Sequence, residues 1–158
     1  MIILGIDPGV ATTGWAIVDF DKDGNPKPID YGVVSTSKKL SLSERLCEIY
    51  KDISELVEKY KPEYGGVETL LFSKNVKTAI AVGEARGVVL LVFEQNNIPI
   101  KDVNPMQVKN CISGYGKADK KQVQENVKMI CNLEEIPKPD DAADAIAIAI
   151  TTDMILKQ

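Results

Sequence analysis

The chain has 158 residues, 44% of them apolar and 27% charged, which is the composition of a folded globular domain and not of a disordered chain. It contains no histidine, so catalytic systems with an imidazole base and zinc sites with histidine ligands are excluded. The net charge of −4 weighs against a nucleic-acid partner, because phosphates usually require a basic surface. At this length we expect residues 1–158 to form a single domain.

The cysteines are odd in number and form no Cys-x-x-Cys pair, which indicates neither a disulfide framework nor a zinc site. We expect Cys47, Cys111 and Cys131 to be packing residues. The most apolar stretch falls short of the roughly 20 apolar residues of a membrane span, and the N-terminus has no basic, apolar leader. We therefore expect a cytoplasmic protein with no membrane partner.

The first predicted strand covers residues 2–6, an unbroken apolar run that leads into Asp7 and is ended by Pro8 and Gly9. Such a run is typical of a strand buried on both faces. A carboxylate at its end loses hydration, which a cation or hydrogen-bond donors must offset. From this stretch alone, a metal ion and hydrogen bonds to the Pro8-Gly9 turn explain Asp7 equally well.

Two further strands are predicted to continue the first as an antiparallel meander. Residues 14–20 are rich in β-branched and aromatic side chains, and residues 29–35 alternate after a turn-forming segment. Ser41 and Glu44 have the spacing of a capping box, and the 3.6-residue apolar period beyond them predicts a helix that ends near Lys61.

Residues 64–70 form a short segment bounded by turn signals, which predicts a fourth strand beside the first after a helical crossover. Glu68 falls near the end of this strand, as Asp7 does in the first. Residues 98–103 predict a fifth strand.

The segment between these strands, residues 75–95, is apolar on nearly all sides and predicts a long helix. Gly83 and Gly87 lie four residues apart on one face, where another backbone could approach closely. This helix could pack on the sheet, on a partner subunit, or on both.

Three helices are predicted in the last third of the chain. Asn104 followed by Pro105 is an N-cap signal that opens a short helix through Lys109. Residues 119–131 carry one apolar stripe, which predicts a second helix. The last helix begins at Asp140.

The last helix carries Asp141 and Asp144 three residues apart, and hence on one face. Capping and compensation of the helix dipole explain Asp140 and Asp141. Asp144 lies deeper in an Ala/Ile-rich helix, where a charge that faces the core would need a partner.

Two carboxylates at strand ends and two on one helix face, in a meander followed by crossover strands, predict a ribonuclease-H-like α/β fold. Its five-stranded mixed sheet would have antiparallel strands first, parallel strands next, and flanking helices. Four oxygen donors at close range favour Mg²⁺, with Mn²⁺ as a substitute. Two such ions could hydrolyse a phosphodiester without histidine.

The sequence also resembles a known family, the RuvC crossover junction endodeoxyribonucleases, over nearly its whole length. The matching segments are Gly5-Ile6-Asp7-Pro8-Gly9, Val67-Glu68, Lys74-Asn75, Gly83-Glu84-Ala85-Arg86-Gly87, Gln107-Val108-Lys109, Gln122-Val123-Gln124 and residues 141–149. The resemblance implies a homodimer that cuts four-way (Holliday) DNA junctions by paired symmetric nicks in recombination and repair. It also implies a complex with a branch-migration helicase.

The resemblance implies roles for individual residues. The four metal-binding catalytic carboxylates would be Asp7, Glu68, Asp141 and Asp144. Lys109 and Lys120 match basic positions near the scissile strand. Basic residues also concentrate at Lys117, Lys120 and Lys121, so the full set of expected DNA contacts is Leu71, Phe72, Lys74, Asn75, Lys109, Lys117, Lys120 and Lys121. The family commonly has an aromatic pair where this chain has Leu71-Phe72, so Leu71 would stack less well on bases.

The acidic net charge is compatible with DNA binding once the proposed metal ligands are set aside. Of 23 Asp and Glu residues, removing four leaves 19, which equals the 19 Lys and Arg residues. A local group of lysines can then contact phosphates, although lysines on a helix are more often simply solvated.

Three other functions compete with this interpretation. The Ile-Asp-Pro-Gly segment also resembles the phosphate-binding hairpin of actin-like and sugar-kinase ATPases, which need a second lobe and a longer chain. A junction-binding protein without nuclease activity would gain nothing from four carboxylates that face DNA. A ribonuclease-H-like nuclease that acts on RNA would share the fold but not the substrate.

Overall fold

The computed structural model describes residues 1–70 and 76–158, which form a five-stranded sheet covered by helices. The strands are β1 (Ile2–Asp7), β2 (Thr12–Phe20), β3 (Pro26–Ser35), β4 (Tyr64–Glu68) and β5 (Ile100–Val103). The helices are α1 (Leu42–Tyr60), α2 (Val76–Gln95), α3 (Pro105–Ser113), α4 (Lys120–Ile130) and α5 (Asp140–Leu156). Within the described part of the chain, no helix has the length and apolar character needed to cross a membrane.

The sheet has the strand order β3-β2-β1-β4-β5, with β1 at its centre. β1 pairs antiparallel with β2 and parallel with β4, and β5 is parallel to β4. This confirms the predicted meander followed by parallel strands. Because β1 and β4 run in the same direction, their last residues, Asp7 and Glu68, lie at the same edge of the sheet.

β1 is buried on both faces because its apolar side chains alternate between two core clusters. Ile3 packs in the cluster that contains the buried residues of α3, α4 and α5. Leu4 and Ile6 pack in the other cluster, with residues of α1 and α2. All three side chains are fully buried, as the apolar run predicts.

α5 lies directly on three central strands because each presents a glycine to it. A Cβ atom added at Gly14 of β2 would lie closer than 3.0 Å to the carbonyl oxygen of Asp141, and one at Gly5 of β1 would meet that of Ala145. A Cβ at Gly66 of β4 would meet Thr152 in the same way. The glycines bring the first turns of α5 over the end of β1.

α3 is longer than the capping signal alone indicates, since it continues beyond Lys109 to Ser113. Val108 and Ile112 are both buried and extend its apolar stripe by another turn. Gly114 then ends the helix with a φ of 76°, a left-handed conformation that favours glycine.

Two local predictions are wrong. Cys47 is exposed on α1 and is not a packing residue, whereas Cys131 is buried at the end of α4. Asp140 does not cap α5, because the N-cap residue is Pro139, which makes no side-chain hydrogen bond there. Asp140 and Asp141 lie in the first turn, where their charges compensate the helix dipole.

Candidate metal centre

Three carboxylates converge where β1 ends beneath α5. Asp7 is the last residue of β1, and Asp141 and Asp144 lie in the first turns of α5. One oxygen of each side chain lies within 4.8 Å of the others, and all three residues are partly buried. This spacing allows the three oxygens to share one cation.

Glu68 lies against this group from the end of β4. Its carboxyl group is close enough to that of Asp7 to share a proton with it in a hydrogen bond, and close enough to Asp144 for their charges to repel. Glu68 and Asp144 also line one small cavity. The structure therefore brings together the four carboxylates that the sequence predicts as one site.

Burial and repulsion between neighbouring carboxylates raise the pKa values of Asp7, Glu68 and Asp144. Burial is the main cause for Asp7, and the charges of Glu68, Asp144 and Asp141 add to it, so its pKa is raised to about 8. The pKa of Glu68 is raised to about 7, by burial first and by Asp144 second. Burial also raises the pKa of Asp144, although its hydrogen bond with Lys120 opposes that shift.

These pKa shifts predict that the metal-free protein loses stability as the pH rises. The folded pKa values of Asp7 and Glu68 lie above their ordinary values of 3.8 and 4.5, so the folded state binds protons that the unfolded state has released. Their stabilising contribution is complete below about pH 4 and is lost as the pH rises through 7 to 8.

Thermal unfolding in chelator between pH 5 and 9 measures this effect. We expect the melting temperature to fall across the range in the wild type, and to fall less steeply in Asp7→Asn. A wild-type melting temperature that rises toward pH 8 in chelator would contradict the raised pKa values.

Lys120, at the start of α4, supplies a positive charge to the site. Its Nζ atom lies 3.1 Å from Oδ2 of Asp144 and 3.6 Å from Oδ2 of Asp140. Burial opposes its charged form, but the hydrogen bond with Asp144 and the nearby carboxylate charges raise the pKa of Lys120 overall. Lys120 therefore remains an ammonium ion beside the carboxylates.

The other predicted DNA contacts divide into separate groups. Lys109 lines a cavity of about 210 Å³, and Glu68, Lys120 and Asp144 line the same cavity. Lys121 lines a different hollow, which Tyr115 and Glu125 share. Lys117 is exposed in the loop between α3 and α4. The remaining predicted contacts, Leu71, Phe72, Lys74 and Asn75, lie outside the described residues.

The donor set fits a hard divalent cation. All its donors are carboxylate oxygens, which suit Mg²⁺, Mn²⁺ and Ca²⁺. The high pKa values come first from burial and then from repulsion, and a bound cation would offset both because it stabilises the ionised forms. The cluster thus indicates the use of a divalent metal.

The sequence did not predict the contacts that two residues, Arg86 and Asp140, make around the site. Arg86 of α2 donates a hydrogen bond to the main-chain oxygen of Glu68 and pairs with Asp102 of β5. One signal was available, because Arg86 and Glu84 are the two charged residues in the long, mostly apolar middle of α2, residues 78–93. Asp140, which sequence analysis assigned to capping, instead pairs with Lys120.

The sheet order and the carboxylates at its central edge define the ribonuclease-H-like class of nucleases. A family profile described as "Crossover junction endodeoxyribonuclease RuvC" matches residues 3–152. The chain belongs to this family.

One relative is the crossover junction endodeoxyribonuclease RuvC of Fusobacterium nucleatum subsp. nucleatum. It is 54% identical over 151 residues, which cover 96% of this chain and 79% of the relative.

Two solved structures have the same fold as this chain. The structure of Thermus thermophilus RuvC superposes with a TM-score of 0.91 at 34% identity, over 99% of this chain and 96% of that one. A structure of T. thermophilus RuvC in complex with a Holliday junction substrate also has a TM-score of 0.91, at 30% identity and with the same coverage.

Proposed function

We propose that this protein is an endonuclease that resolves four-way (Holliday) DNA junctions by paired symmetric nicks. The observation that carries the proposal is the convergence of Asp7, Asp141 and Asp144, with Glu68 beside them, in a chain of the RuvC family. The T. thermophilus relative whose structure is described as a complex with a Holliday junction supports the choice of substrate.

In this proposal the four carboxylates hold Mg²⁺, as two ions that Mn²⁺ can replace. Bound ions of this kind supply an activated water and stabilise the leaving oxygen of a phosphodiester. The chain's own contribution is to hold the carboxylates partly buried, so that they are oriented before the substrate arrives. Lys120 and Lys109 add positive charge on the same side, where a backbone phosphate would lie.

Incubation with Mg²⁺ and a labelled four-way junction tests the proposal. Linear duplex of the same sequence and an RNA–DNA hybrid are the matched substrates. We expect symmetric nicks in the junction, and little cleavage of the other two. Preferred cleavage of the hybrid would instead indicate a ribonuclease-H-like enzyme that acts on RNA.

The two lysines beside the carboxylates should make the junction affinity depend on salt. Each phosphate contact releases condensed counterions, so Lys109→Ala or Lys120→Ala should reduce the slope of log affinity against log salt by about one unit. Lys51→Ala is the control, because Lys51 is 75% exposed on α1 and pairs with Glu55. If both variants keep the wild-type slope, these two lysines do not contact phosphates and are simply solvated.

We also propose a homodimer that uses the exposed face of α2. Val76, Ile80 and Leu91 are 69%, 57% and 50% exposed, and a Cβ added at Gly87 would meet nothing within 4 Å. These positions fall on one stripe of the helix, and an exposed apolar stripe favours an interface. A two-fold dimer would present two equivalent sites to the two strands that are cut.

Sedimentation at micromolar concentration tests the dimer. We expect a mass of about twice 17.3 kDa for the wild type and a monomer for Leu91→Glu, whose two nicks should become uncoupled. The control is Met129→Glu, because Met129 is 68% exposed on α4, outside this stripe. A monomeric wild type, or a dimer that Leu91→Glu leaves intact, would contradict this interface.

A complex with a branch-migration helicase and a cytoplasmic location stay predictions from the sequence.

A further inference from the structure

The side chain of Arg86 joins α2 to the ends of β4 and β5. Its Nε atom donates a hydrogen bond to the main-chain oxygen of Glu68 at 3.2 Å. Its terminal nitrogen Nη2 forms an ion pair with the carboxylate of Asp102 on β5. Only 18% of the Arg86 side chain is exposed, so its apolar stem is packed against the protein.

The main-chain oxygen of Glu68 lies just beyond the point where the pairing of β4 with β1 ends. The register of β4 with β1 ends at Val67, opposite Ile6, one residue before Glu68. On the other side, the N–H of Thr69 still donates to the carbonyl of Val103 at 2.8 Å. The hydrogen bond from Arg86 therefore adds a second fixed point at the residue whose side chain joins the carboxylate group.

α2 also packs along the segment that follows Glu68. Ala79 and Val82 lie with Glu68, Thr69 and Leu70 around one hollow of about 210 Å³. Leu70 approaches so closely that its Cδ1 atom lies 3.2 Å from where a Cβ of Gly83 would be. Arg86 is one turn farther along the same side of the helix. Arg86 thus adds a hydrogen bond to the side-chain packing between α2 and residues 68–70.

Arginine suits this task better than lysine. A planar guanidinium can donate to a carbonyl with one nitrogen and pair with a carboxylate through another, in a fixed relative geometry. An ammonium group on a flexible stem has no such fork. The pairing with Asp102 also neutralises the charge of Arg86, so its main action on Glu68 is through the backbone.

We propose that Arg86 is a positioning residue of the nuclease: it fixes the backbone at Glu68 so that the Glu68 carboxylate is held toward Asp7 before a divalent cation binds. The inference rests on the proposed function, because it takes Glu68 as a metal ligand. Groups that hold metal ligands in place typically change metal affinity by about 10- to 100-fold when they are removed.

Titration of the whole protein with Mn²⁺ by calorimetry, without DNA, tests this role. We expect Arg86→Met to weaken Mn²⁺ binding by about tenfold or more, Arg86→Lys to weaken it less, and Asp102→Asn to weaken it in the same direction. In nicking assays, the Mn²⁺ concentration for half-maximal rate should rise by the same factor. The rate at saturating Mn²⁺ should stay within a few-fold of the wild type.

Asn96→Ala is the matched control. Asn96, just after α2, also donates a side-chain N–H to a main-chain oxygen, that of Val92 at 2.8 Å, but it lies ten residues beyond Arg86. It should lower the melting temperature without a change in Mn²⁺ affinity. If Arg86→Met does not fold, Arg86→Lys and Asp102→Asn carry the test.

The outcomes separate this role from the proposed function. If Asp7→Asn loses Mn²⁺ binding but every Arg86 and Asp102 variant binds Mn²⁺ as the wild type does, Arg86 only stabilises the fold and the inference is wrong. If the Arg86 variants lose junction affinity with unchanged Mn²⁺ affinity, Arg86 is a DNA contact, which also overturns it. If the wild type and Asp7→Asn bind Mn²⁺ equally, the metal centre itself is wrong.

Discussion

Asp7→Asn is expected to abolish nicking of a four-way junction while leaving junction binding largely intact. Asp7 is the carboxylate whose charge interacts with those of the other three, and losing its charge removes one proposed metal ligand from the end of β1. Metal centres contribute several kcal/mol to such reactions, so the rate should fall by about three orders of magnitude or more. Single-turnover cleavage of a labelled junction with saturating Mg²⁺ measures the loss. The matching substitutions Glu68→Gln, Asp141→Asn and Asp144→Asn should also abolish nicking.

Asp140→Asn is the control for charge. It removes one carboxylate from the first turn of α5, but Asp140 is 64% exposed and lies outside the group of three ligand oxygens. We expect its nicking rate to stay within a few-fold of the wild type. Wild-type nicking by Asp7→Asn would show that the chemistry does not use this centre.

Asp7→Asn should also raise the stability of the folded protein when metal is absent. Asp7→Asn removes one like charge from a partly buried anionic group, which relieves repulsion in the folded state. The melting temperature in chelator at pH 8 should therefore be higher than that of the wild type. A lower value would mean that Asp7 stabilises the metal-free protein through other contacts.

The centre of the fold could be predicted because it depends on local patterns. The apolar run of β1 and the crossover helix before β4 indicate parallel neighbours, and parallel neighbours end at one edge. The identities of Asp7 and Glu68 then follow from their positions at those ends. The Asp141 and Asp144 pair follows from helical spacing alone.

The side chains around the carboxylates could not be predicted in the same way. Lys120 and Lys121 are adjacent in sequence, but successive residues of a helix point about 100° apart. Only the packing of α4 decides that Lys120 meets Asp144 while Lys121 lines another hollow. The hydrogen bond from Arg86 ends on a main-chain oxygen, and a main-chain acceptor leaves no trace in the pattern of residue types.

Gly14→Ala is expected to lower both the stability of the protein and the function of the metal centre, because Gly14 lies where α5 packs on the sheet. Gly14 is directly opposite Asp7 in the β1–β2 register, and an added Cβ would lie closer than 3.0 Å to the main-chain oxygen of Asp141. A backbone atom cannot rotate away, so the first turn of α5 must move, and Asp141 moves with it. We expect a loss of about 1–3 kcal/mol in stability, together with loss of Mn²⁺ binding and of nicking.

Gly66→Ala is the matched control at the other end of the same contact. An added Cβ there would meet the side-chain oxygen of Thr152, three turns away from Asp141 along α5. It should destabilise the protein to a similar degree but keep Mn²⁺ affinity near the wild type, and Thr152→Ala should partly restore its stability. Thermal unfolding with Mn²⁺ calorimetry distinguishes the two variants. Equal loss of Mn²⁺ affinity in Gly14→Ala and Gly66→Ala would mean that the centre responds to the stability of the whole domain, and not to the position of the first turn of α5.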